Sequence, residues 1–257
     1  MINLKINDEL NSLISGKDIS IIGPAPYLIG KDRGPEFDSS DIIVRPNEII
    51  PLRKLRKDYG SRTDIYFCNF GDVWMDGIKR KITTDDHDEY FKKLKLVVGS
   101  AIRGSHSDNI FASQYKSSVP QNFQNINVHN LPFYWIGNED YMKLYRLIGA
   151  EYNTGIAAIS ILLNYPINSL KISGFTFHTG GSSYNELYCD GHMDEIDTRG
   201  RSFGHGTGPT IGYMRRLADT YKDTLILHNA PIDILPGMNC IFISVRNSST
   251  RLPNRAI

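Results

Sequence analysis

Three histidines, a knot of acids and a run of glycines crowd into one stretch, Thr176 to Gly212, which reads TFHTGGSSYNELYCDGHMDEIDTRGRSFGHGTGPTIG. Loops longer than about 15 residues are uncommon in compact domains and are usually functional when ordered. Histidine titrates near neutrality, so His178, His192 and His205 are candidate bases for removing a proton from a sugar hydroxyl. His205 stands just before a helix predicted to start near Pro209, and the positive end of that helix favours the neutral imidazole a base requires. His192 with Asp190, Asp194, Glu195 and Asp197 offers a second chemistry, a metal centre, although no HExxH or comparable spacing supports it. The stretch TTDDHDEYF at 83–91 resembles a DxD metal motif, but acids in the first turn of a capped helix explain it better.

Other candidates follow apolar runs. IIGPAPYLIG closes a run on Gly23, and its glycines and prolines would let backbone amides at Gly23 and Ala25 approach a phosphate or sugar. It has neither GxGxxG spacing nor the lysine of a P-loop, and a plain turn accounts for it as well. Asn47 ends the run DIIVRPN; its amide suits a ribose hydroxyl or phosphate oxygen, and equally it suits capping the turn after Pro46. In YNTGIAAISILLNY, Asn153 and Thr154 precede an apolar helix, where they would cap orphan amides while the remaining amides attract an anion.

These residues need a frame. DISIIG (18–23), DIIVR (41–45), DIYFCNF (64–70), KLKLVVGS (93–100), SLKISGF (169–175) and TLILH (224–228) read as buried strands, with a weak strand near INVHN (126–130). Helices are predicted over TTDDHDEYFKKL (83–94), NEDYMKLYRLIG (138–149), NTGIAAISILLNY (153–165) and PTIGYMRRLADTYKD (209–223), the third apolar on every face and hence buried. PAPYLIGKDRGP, after the first strand, is too rich in Gly and Pro for regular structure. Strands alternating with helices predict an α/β fold, a mostly parallel central sheet flanked by helices. Ligands in such folds lie beyond the carboxyl ends of the strands, where Gly23, Asn47 and the loop after Phe175 all fall.

Composition excludes several classes. With 257 residues, 29 basic and 28 acidic side chains and a net charge of +1, the chain fits a single catalytic domain over 1–257 and has no basic excess for a nucleic acid. No run of about 18 apolar residues is present, and the N-terminus has no signal-peptide pattern. Cys68, Cys189 and Cys240 are widely spaced, which suggests neither a disulfide framework nor a thiolate zinc site and fits a reducing, cytoplasmic setting.

IIGPAPYLIGKDRGPEFDSSDIIVRPNEI followed by DYGSRTD resembles the large sialylmotif of glycosyltransferase family 29, the animal-type sialyltransferases. YNTGIAAISILLNYPINSLKISGF is similar to the small motif, a Ser-Thr-Gly helix start followed by a strand ending in Gly-Phe. His192 falls at the third motif and His205 at the histidine of the very small motif, so four pieces keep the family's order. The resemblance implies a Rossmann-like, GT-A-like fold and an inverting, metal-independent transferase with no cofactor. Its substrates would be a CMP-activated sugar donor and a glycan or glycolipid acceptor. By carry-over, Gly23, Ala25, Asn47, Asn153, Thr154, Gly155 and Phe175 would form the donor site, His192 would support the leaving phosphate, and His205 would be the base. The sugar stays open between sialic acid and the related Kdn or Kdo.

The departures from the family pattern are specific. Pro24 stands in place of the donor-binding Asn, Asn153 in place of Ser, and Thr210 in place of Glu. The paired family cysteines are absent near Ser20 and Asn164. The membrane anchor of animal members is also missing, which suggests a divergent bacterial or viral-type member, compatible with peripheral association at a membrane. Two other readings remain: a CMP-sugar or glycan-binding protein that has lost turnover, and a metal-dependent hydrolase built on the His192 loop.

Overall fold

Unbroken apolar runs, rather than alternating ones, are what strands need when helices cover both faces of a sheet. In the computed structural model, which describes residues 3–47, 52–69, 90–99, 130–175, 207–220 and 243–246, the runs form one sheet. Its strands are β1 (Asp18–Ile22), β2 (Ile42–Pro46), β3 (Ile65–Cys68), β4 (Leu96–Gly99), β5 (Phe133–Trp135), β6 (Ser169–Ser173) and β7 (Ile243–Arg246), in the order β5-β4-β3-β2-β1-β6-β7. Every neighbouring pair is parallel except β6 with β7. Within β1 to β4 and β6 only Asp18 and Lys171 escape full burial. The α/β class and mostly parallel sheet expected from the sequence are thus found.

The described helices are α1 (Asp8–Ile14), α2 (Gly34–Asp38), α3 (Arg56–Tyr59), α4 (Asn138–Ile148), α5 (Thr154–Leu162) and α6 (Thr207–Thr220). All residues of α5 are buried, as its apolar sequence requires, and it packs over β2 and β3. α4 buries Tyr141, Leu144 and Ile148 on one face and closes on Gly149, whose φ of 84° is the left-handed cap that glycine tolerates best. α6 buries Thr210, Tyr213, Met214 and Leu217, a spacing that marks one helical face. Thr210, which stands where the resemblance places a glutamate, is therefore part of a packed face.

Several expectations change. The Gly/Pro-rich segment after β1 is not wholly irregular: Pro26–Leu28 form a 3-10 turn and Gly34–Asp38 form α2. Proline sits in the first turn of each, where its missing N–H costs no hydrogen bond. α1, α3, β5 and β7 have no counterpart among the expected elements. α1 is short and owes its start to Asn7, whose Oδ1 accepts the Leu10 N–H at 2.9 Å. The chain before it is strapped down by side chains: Asn164 exchanges two bonds with the Leu4 backbone at 3.1 Å, and Asp140 accepts the Lys5 N–H at 3.0 Å. β5 has three half-buried residues, too few for a periodic signal. Residues 83–89, the expected weak strand over 126–129 and the strand at 224–228 lie outside the described residues, as do Cys189 and Cys240. Cys68 is buried. Among the described residues no helix is long and apolar enough to cross a membrane.

Candidate functional site

The strand order reverses at β1. β2 to β5 are laid down on one side of it, and the chain then returns to place β6 on the other. The carboxyl ends of β1 and β6 therefore flank the topological switch point, where open parallel sheets hold their ligands.

The two strand exits are locked together. The Gly23 N–H donates to Ser173 O at 2.7 Å and the Ala25 N–H to Gly174 O at 2.9 Å. In return the Gly174 N–H donates to the Tyr27 hydroxyl at 2.7 Å, and the Tyr59 hydroxyl donates to Ala25 O at 2.7 Å. A Cβ on Gly23 would overlap the Gly174 carbonyl, and one on Gly174 would overlap the Gly23 carbonyl. These glycines are needed for the approach of two backbones. The expectation that the loop amides greet a phosphate changes accordingly: those of Gly23 and Ala25 are committed to the neighbouring exit and Pro24 has none, leaving these residues shape rather than donors to offer.

Free donors lie at the start of α5. Asn153 is the N-cap, its Oδ1 accepting the Ile156 N–H at 2.9 Å while its carbonyl takes the Ala157 N–H at 3.0 Å. Among the described residues the N–H groups of Thr154 and Gly155 find no acceptor, and Asn153 Nδ2 finds none either. Thr154 is only 2% exposed, yet its Oγ1 has no hydrogen-bond partner among the described residues. A buried hydroxyl left unsatisfied costs about 1–3 kcal/mol, so such an atom asks for a partner from outside. The Phe175 ring closes the floor: a Cβ on Gly155 would sit 2.5 Å from its Cε1, and one on Gly23 would sit 3.1 Å from its Cδ2. Gly23, Asn153, Thr154, Gly155 and Phe175 thus converge, with Ala25 joined to them through Gly174.

Asn47 lies on the same edge at the exit of β2. Its φ of 49° is a left-handed turn conformation that Asn adopts more readily than most residues, so the turn reading holds. Its N–H donates to Phe67 O at 2.6 Å and its Oδ1 accepts the Asn69 N–H at 3.4 Å. The Nδ2 group has no partner among the described residues, so both readings of Asn47 stay compatible. His178, His192 and His205, with the acids at 190–197, lie outside the described residues.

Other charged groups of DSSDIIVRPN and DYGSRTD brace the chain. The Asp38 carboxylate accepts the N–H groups of Ser61 and Arg62 at 2.8 and 3.1 Å and the Ser61 hydroxyl at 2.7 Å. Arg45, wholly buried, donates to Arg62 O at 3.0 Å and Tyr59 O at 2.6 Å. Asp64 accepts the Ile43 N–H at 2.9 Å and pairs with Arg62 and Lys95. Burial pushes the Asp58 carboxyl up, but the N–H groups of Asp32, Gly30 and Lys31, with Lys57 nearby, outweigh it and hold the group below its usual range. That carboxylate orders the loop leading away from Tyr27. Ser20 Oγ meets Ser40 Oγ at 2.8 Å and Asn164 meets Leu4, so the positions near the two missing family cysteines have separate partners. Tyr27 escaped sequence reading because a tyrosine in a loop carries no pattern of its own.

The fold and site define an open parallel α/β sheet with a helix-start donor cluster beside its switch point. No family model matches the chain, and no curated protein matches it. Among solved structures it is similar to a mammalian sialyltransferase in complex with Gal-beta-1-3GalNAc-ortho-nitrophenol, at 16% identity and a TM-score of 0.48, covering 84% of this chain and 71% of that one. A second structure of a mammalian sialyltransferase aligns at 16% identity and a TM-score of 0.41, over 66% of this chain and 59% of that one. Likenesses this remote assign no activity.

Proposed function

We propose that this chain is an inverting glycosyltransferase that moves sialic acid, or a related Kdn- or Kdo-type sugar acid, from its CMP-activated donor to a hydroxyl of a glycan or glycolipid. The observation that carries the reading is the start of α5, where the buried Thr154 Oγ1 and the N–H groups of Thr154 and Gly155 are left without partners among the described residues. They are neutral donors at the positive end of a helix, suited to an anion such as the donor phosphodiester. Asn153 Nδ2 adds a donor, Asn47 Nδ2 faces the nucleotide, and Gly23, Ala25 and Phe175 form the floor.

In the reaction, the acceptor oxygen attacks the anomeric carbon as the bond to the phosphate oxygen breaks, and CMP departs with the bonding electrons. His205 takes the proton of the acceptor hydroxyl, and His192 supports the charge on the departing phosphate. Catalysis is then mostly positioning and stabilisation of charge at preorganised donors. The donor phosphodiester carries a single charge, and the second charge that appears on the phosphate as CMP leaves is met by His192 and the donors at the start of α5, so the scheme calls for no divalent cation. A CMP-sugar-binding protein without turnover is the second reading, and the placing of Thr210 within the packed face of α6 favours it.

The test is release of CMP from CMP-Neu5Ac, CMP-Kdn and CMP-Kdo over a panel of oligosaccharide acceptors, with and without EDTA. Release from one donor, dependent on acceptor and unchanged by EDTA, is the expected result. Strict metal dependence contradicts the scheme, and donor binding without release favours the second reading.

A further inference from the structure

The geometry points to Tyr213 and Ser160 as a positioning pair that fixes where α6 begins relative to where α5 begins. The inference rests on the proposed transfer, in which the donor phosphate sits at the start of α5 and His205 precedes the first residue of α6 by two positions in the chain. The Tyr213 hydroxyl donates to Ser160 Oγ at 2.9 Å, and Ser160 Oγ donates to Ile156 O at 2.7 Å. Both residues are buried, at 1% and 0% exposure. The Ile156 N–H ends on Asn153 Oδ1 at 2.9 Å, so a line of bonds leads from α6 to the cap of α5.

A phenylalanine and an alanine would fill the same space without polar atoms, and an apolar pair often stabilises a buried contact as well as a polar one. What the hydroxyls add is direction: the bond forms at one rotation and one height of α6. A second fastening lies one turn on, where Arg216 Nη2 donates to Leu147 O at 2.9 Å while its guanidinium covers the Tyr213 ring at 5.9 Å. The two fix both rotation and translation of the helix that the base-bearing segment enters. Misplacement by about 1 Å costs on the order of a hundredfold in rate when groups must meet in a transition state.

Tyr213→Phe keeps the ring and deletes the bond. It is expected to lower kcat roughly 10- to 100-fold while KM for the donor and CMP affinity stay within about twofold. A pair with a merely structural role would lower Tm and leave kcat per folded molecule alone. Ser160→Ala should give the same kcat loss, and the double variant no further loss, because the two hydroxyls act as one unit. Amide hydrogen exchange over 207–212 is measured in parallel, faster exchange in either variant being expected. Unchanged kcat in Tyr213→Phe, with the wild type active, overturns the inference and leaves the proposed transfer standing. If the wild type neither binds CMP donors nor transfers, the proposed function falls and exchange alone decides: faster exchange over 207–212 sustains the pair's role, and unchanged exchange overturns it.

Discussion

His205→Ala should abolish measurable sugar transfer while leaving CMP affinity within about twofold, because a positioned general base contributes on the order of a hundred- to ten-thousandfold to rate and little to ground-state binding. His205 stands in the Gly-rich run FGHGTGP, two residues before α6. The proposed role requires a neutral imidazole, the form able to accept a proton near neutral pH. Steady-state kcat and calorimetric CMP binding, measured on the same preparation, separate the two effects. A variant that keeps wild-type kcat removes His205 from the mechanism, and one that loses CMP binding gives it a different role.

Gly174→Ala is the largest expected effect on stability. The residue holds a φ of 78°, and an added Cβ would overlap the Gly23 carbonyl oxygen and lie 2.7 and 2.8 Å from the Gly23 carbonyl carbon and nitrogen. Backbone cannot swing aside as a side chain can, so the exits of β1 and β6 would have to part and lose the bonds that join them. A severe steric change of this kind costs about 4 kcal/mol or more. Gly16→Ala is the control, since Gly16 has a φ of 68° but open space around the added methyl. Its cost is left-handed strain alone, about 1–2 kcal/mol. For a chain of this size each kcal/mol moves Tm by roughly 2–4 °C, so calorimetry should place Gly174→Ala several degrees below Gly16→Ala. Equal melting temperatures would mean that the two exits are not packed as described.

Much of the architecture was readable in the chain. β1 to β4, β6 and helices α4 to α6 come from long, strongly patterned runs, and their burial follows from a parallel sheet with helices on both faces. β5 was missed because three residues carry no period, and α1 because it has only seven residues and the segment leading into it is held by distant partners, Asn164 and Tyr165. The site was legible in part. That Asn153 caps an apolar helix beside a potential anion site follows from local sequence, whereas the committed amides of Gly23 and Ala25 depend on β6 lying next to β1, which only topology reveals. Asp38 and Arg45 are charges beside a buried strand, which are costly to bury without partners. The chain's own amides hold the Asp38 carboxylate, and Arg45 donates through Nε and Nη2 to backbone carbonyls, an outcome that periodicity cannot signal.

A donor phosphate held at the start of α5 is tested by calorimetric titration of CMP into the wild type and into Thr154→Val. Valine keeps the shape of the side chain and removes Oγ1, a buried atom without a partner among the described residues. Saturable CMP binding to the wild type is expected, weakened roughly 5- to 100-fold in the variant, the equivalent of one hydrogen bond to a charged group at about 1–3 kcal/mol. Equal affinity in the two proteins, or a wild type that does not bind CMP, would contradict it.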